Sequence, residues 1–89
     1  MDSNESAWID RIERELGVAA GIDDGAKRVL LRMTKVTADA TGIRYLAPLT
    51  AYVVGVAAGR ALASGERFDL NAAADAVGEL AAGWPTSEG

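Results

Sequence analysis

Few residues in this 89-residue chain are of a type that does chemistry. There is no histidine, which removes the commonest general base near neutral pH and the commonest transition-metal ligand. There is no cysteine either, so thiolate metal sites and disulfides are ruled out. Asp23-Asp24 lacks the further oxygen ligands of a calcium loop, and two acids opening a helix are explained by capping and by the helix dipole. The run Gly21-Ile22-Asp23-Asp24-Gly25-Ala26-Lys27-Arg28 sets glycines and cations near a helix start, where exposed amides can receive an anion. It is not a phosphate-loop motif, its aspartates repel phosphate, and no strand precedes it. Thr34, Thr37 and Thr41 have no base beside them and read as solvated or bonded back to their helix. The remaining candidates recognise rather than react. Arg44-Tyr45 is a pair of residue types enriched at binding hot spots. Arg60, near the end of an apolar helix, either pairs with Glu66 or another acid or meets a partner's carboxylate.

Four helices are expected to position these residues. The first runs from about Glu5 to Leu16, capped by Ser3 or Asn4 and stopped by Gly17, with Trp8, Ile9, Ile12 and Leu16 on one face. Asp10 with Arg14 and Arg11 with Glu15 have the spacing of ion pairs on its other face, and Val18 or Ile22 could staple the link that follows. The second helix runs from about Asp24 to Thr41, capped by Asp23 and ended by Gly42, with Val29, Leu30, Met33, Val36 and Ala40 as its buried stripe. A loop over 42–47 should lead to Pro48, which suits a first helical turn. The third helix, about 48–63, is apolar nearly all round, which places it at the centre of the bundle or of a dimer. Ala51, Gly55, Gly59 and Ala63 recur every four residues on it. Glycine inside a helix costs roughly 1 kcal/mol against alanine, so this face is expected to receive a closely packed helix of the same chain or of a second one, and leucine at Gly55 or Gly59 to destabilise. The fourth helix, about Leu70 to Gly83 after an Asp69 cap, buries Leu70, Ala73, Ala74, Val77, Leu80, Ala81 and Trp84. Residues 85–89 read as a flexible tail.

The fold class is therefore all-α: a single small bundle of three to four helices over 1–89, ordered from about residue 4 to 84, with helix three central. Hydrophobic residues make up 49% and charged residues 25% of the chain, a globular composition. A formal charge of −4 without a basic run speaks against nucleic acid and against anionic membrane surfaces. The polar, acidic start Met1-Asp2-Ser3-Asn4-Glu5 is unlike a signal peptide, and Leu46–Ala63, with Pro48, Thr50 and Arg60, is a poor membrane span. A cytoplasmic protein is expected.

Ala47-Pro48-Leu49-Thr50 followed by Gly55-Val56-Ala57-Ala58-Gly59-Arg60, with the tryptophan-bearing first helix (Trp8-Ile9) and the alanine-rich last one, resembles a family of small actinobacterial helical domains of unknown function. Its members look like free-standing proteins or appendages of molybdenum cofactor guanylyltransferases. The resemblance implies an accessory role near molybdenum cofactor assembly and brings no catalytic residues.

These readings converge on a non-enzymatic domain that needs no cofactor or metal. Its expected partner is another protein or a second copy, through Ala51, Gly55, Gly59, Ala63, Arg44, Tyr45 and Arg60. The alternative is a small-ligand or nucleotide-binding domain using the start of helix two, with Lys27, Arg28 and Arg44.

Overall fold

The computed structural model of the protein describes residues 1–85. They form four helices: α1 (Ser3–Leu16), α2 (Asp24–Thr41), α3 (Leu46–Ala63) and α4 (Leu70–Ala82), with no strand among the described residues. The all-α small bundle follows from the sequence periodicity as expected. The tail assigned to residues 85–89 lies, beyond Pro85, outside the described residues.

Aspartate starts three of the helices. Asp2, Asp23 and Asp69 each hold an extended backbone and accept the amide hydrogen of the residue three further on, at 2.8, 2.8 and 3.0 Å. These bonds satisfy amides that the first turn of a helix leaves without a partner. The cap of α1 is thus Asp2, not Ser3 or Asn4, which lie inside the helix. Gly17 and Gly42 end α1 and α2 with φ of 69° and 73°, the left-handed geometry that a Cβ would strain. α3 starts earlier than Pro48 suggested. Leu46 and Ala47 donate to the Ile43 and Arg44 carbonyls, winding the chain into the helix, so Pro48 sits third, where its missing N–H is still no loss. We expect Asp23→Ala to cost about 1 kcal/mol, lowering the melting temperature by roughly 4–8 °C in a domain of this size. Thermal unfolding followed by circular dichroism measures it.

The central helix is α2, which packs against both α3 and α4. This corrects the placement of helix three at the centre of the bundle. α3 turns inward Leu46, Ala47, Thr50, Ala51, Val54, Ala58 and Ala61, most of them small, and of these Val54 alone is buried. The core is correspondingly thin. Met33, 3% exposed, meets Val54 and Ala74, and Val29, Leu30, Phe68, Leu70, Ala73 and Val77 close around them half-buried. Val36, Leu80 and Trp84, expected inside, are exposed. In their place Thr37 and Thr41 occupy the buried face of α2, with hydroxyls donating to the carbonyls four residues back, Met33 at 2.9 Å and Thr37 at 2.7 Å. A hydroxyl bonded to its own helix can be buried without a tertiary partner.

α1 has no buried residue. It is tied to the start of α2 by the Lys27–Glu5 ion pair at 2.5 Å and a contact of the Met1 ammonium with Asp24, and its Ile9 and Ile12 are half-buried.

Candidate functional site

The residues singled out from the sequence do not gather at one place. Ala51 is half-buried on the inner side of α3, whereas Gly55, Gly59 and Ala63 are exposed, because an i, i+4 row slants around a helix and leaves the packed side within two turns. A Cβ added at Gly55 or Gly59 would meet no neighbouring atom within 4 Å. The expected close approach of another helix therefore does not occur within the chain, and the destabilisation expected of leucine at these positions does not hold for the monomer. With the space open, alanine at Gly55 or Gly59 should stabilise α3 by up to roughly 1 kcal/mol each. The melting temperature of the dilute protein should rise by a few degrees.

Arg44 and Tyr45 are exposed just before α3, and Arg60 is exposed in its last turn. Among the described residues the ion pairs are Met1 with Asp24, Lys27 with Glu5 and Lys35 with Asp39, so Arg60 does not reach Glu66. The Asp10–Arg14 and Arg11–Glu15 pairs expected on α1 do not form either. The hydrogen bond and the charge of Asp39 hold the Lys35 ammonium above its ordinary pKa, but a pair this exposed adds little to stability.

The start of α2 is occupied by the chain itself. The Asp23 carboxylate caps the helix, Asp24 receives the N-terminal ammonium, and Lys27 is engaged by Glu5. No group of three or more carboxylates that could hold a metal ion is assembled among the described residues.

The surface feature that the structure adds is the outer side of α3. Leu49, Tyr52 and Val56 fall at i, i+3 and i+7, opposite the packed face, and Val53 flanks them. All are exposed, Leu49 by 56% and Tyr52 by 74%. Leu62, also exposed, lies on another side of the helix. The sequence signal is the all-round apolarity of α3, which points equally to the centre of the bundle or of a dimer and does not single out this face. By length and composition α3 could also cross a membrane.

The whole chain carries 6757 Å² of accessible surface. A compact monomer of 9.2 kDa is expected to expose about 4,900 Å², an excess on the order of 1,000–2,000 Å². The radius of gyration is 14.2 Å, against about 12 Å for a compact chain of this length. Thirteen large apolar residues, from Trp8 to Trp84, contribute to that surface. Single exposed apolar side chains are ordinary in a soluble protein, whereas a contiguous row on one helix marks a binding face.

Fold and surface together define a small all-α domain built around α2, with one helix largely uncovered on its outer side. The chain belongs to the family described as a domain of unknown function, DUF6457, whose model matches residues 2–89. Comparison with curated proteins and with solved structures finds no match.

Proposed function

We propose that this protein is a non-catalytic interaction domain of the cytoplasm that associates with a second copy of itself through the outer face of α3. The observation carrying this reading is the exposed row Leu49, Tyr52, Val53 and Val56 on a chain with only four buried apolar residues among those described. An interface of standard size removes about 800 Å² from each partner, and obligate dimers remove more. The excess surface of this chain is of that order. A native state stabilised by association melts at a temperature that rises with protein concentration. We expect that dependence; a melting temperature that stays constant over a hundredfold dilution would count against self-association.

The resemblance carried by Ala47–Thr50 and Gly55–Arg60 supports a further partner, a molybdenum cofactor guanylyltransferase, for which the domain would act as an accessory. Co-elution of the two purified proteins tests it. Insertion of α3 into lipid competes with both readings. Pro48, the glycines and Arg60 weigh against it, and co-sedimentation with anionic and neutral vesicles should leave the protein in solution. The reading as a nucleotide- or small-ligand-binding domain is the weaker one, since Lys27 and both aspartates at the start of α2 already have partners within the chain.

A further inference from the structure

We infer that the outer face of α3 is covered by α1 of a second copy of this chain, each protomer laying its N-terminal helix across the other. The inference rests on the self-association proposed above and says which element does the covering. α1 is the helix with least to do in its own chain. It contributes no buried residue, whereas α2, α3 and α4 each contribute at least one. Its apolar row is only half covered: Ile9 and Ile12 are half-buried, while Trp8, 64% exposed, and Leu16 stand clear beside them. The outer row of α3, Leu49, Tyr52, Val53 and Val56, is exposed throughout, so each protomer offers a partly uncovered apolar stripe on α1 and an uncovered one on α3.

Charge selects the pairing. Residues 1–24 carry seven carboxylates and two arginines, whereas residues 25–64 carry six cations and only Asp39 as an acid. Of those cations Lys27 is paired with Glu5 and Lys35 with Asp39. Arg44 and Arg60, at the two ends of α3, are in none of these pairs, and neither are Asp10 and Glu15 of α1. Two copies of α3 packed antiparallel on each other would bring arginines together at both ends. An acidic helix laid along α3 removes that repulsion, and like-charge juxtaposition is what interfaces are built to avoid. The area fits as well. Covering α3 with one helix and giving up the matching face of α1 removes surface twice per protomer, which brings an open chain toward the exposure of a compact one.

Trp8 and Trp84 are the only tryptophans, so Trp84→Phe leaves Trp8 as the sole indole reporter. In this variant, sedimentation should show dimers forming as concentration rises, and Trp8 emission should shift to the blue over the same range. Trp8→Ala, at a position exposed in the single chain, should leave the helical circular dichroism of the protein unchanged. It should weaken dimerisation about thirtyfold or more, the loss typical of a buried tryptophan anchor. A dimer whose Trp8 emission stays that of a solvated indole, or a Trp8→Ala protein that dimerises normally, overturns the exchange of α1 while leaving self-association standing. A chain that stays monomeric at every concentration overturns both.

Discussion

A Tyr52→Glu, Val56→Glu double variant will remain helical and folded yet sediment as a monomer at concentrations where the parent chain is dimeric. Both side chains are exposed in the single chain, so two carboxylates there meet water and cost the monomer little. Glutamate is also a better helix former than tyrosine or valine, which favours α3 itself by a few tenths of a kcal/mol per site. In the proposed dimer the same positions would lie under a partner helix. An uncompensated buried charge costs about 3–5 kcal/mol, so two per protomer should raise the dissociation constant at least about a thousandfold. The signs separate the alternatives. Unfolding of the variant would mean that this face is packed within the chain, and persistence of the dimer would place the interface elsewhere.

Met33→Ala should act oppositely, destroying the fold before it affects association. Met33 is the most buried apolar residue of the chain, at the point where α2 meets Val54 of α3 and Ala74 of α4. Truncating such a side chain typically costs 2–5 kcal/mol, through lost transfer energy and the cavity left behind. Spread over a small domain, that loss lowers the melting temperature by roughly 10–30 °C. The core offers little to compensate, since Ala74 and Ala81 cannot extend into a void. Leu80→Ala makes the control: the residue is similarly large but 72% exposed, and its loss should change stability by less than about 0.5 kcal/mol. Equal effects from the two substitutions would contradict the placement of the core. Urea midpoints measure both.

The helices themselves were legible because their signals are local. Asp23 and Asp69 announce caps, Gly17 and Gly42 announce stops, and the apolar spacing of α2 and α4 has the helical period. α3 misled because periodicity records how many apolar sides a helix has and not what covers each one. Its inward face is mostly alanine and its outward face carries the bulk, so hydrophobicity pointed to the centre while volume pointed outward. Thr37 and Thr41 misled in the other direction. A threonine that donates to its own helix loses its polarity as a guide to exposure, and two such residues are buried on α2 while Val36 of the same helix is exposed. The small-residue row from Ala51 to Ala63 was read as one face, although only its first member touches the packed side. As for the site, the residue types of Arg44 and Tyr45 suggest recognition and Arg60 suggests either an ion pair or a partner contact, and all three are exposed, while Leu49, Tyr52 and Val56 do not stand out because a single sequence does not say what covers an apolar stripe.

The outer face of α3 is proposed as a contact surface between copies of this chain. Sedimentation velocity of the unmodified protein over a wide dilution series tests it most directly. The account predicts a reversible monomer–dimer equilibrium, with the dimer dominant at the upper end and its weight-average sedimentation coefficient falling smoothly to that of the monomer on dilution. A single monomeric boundary at every concentration, from a protein that is folded by circular dichroism, would contradict it.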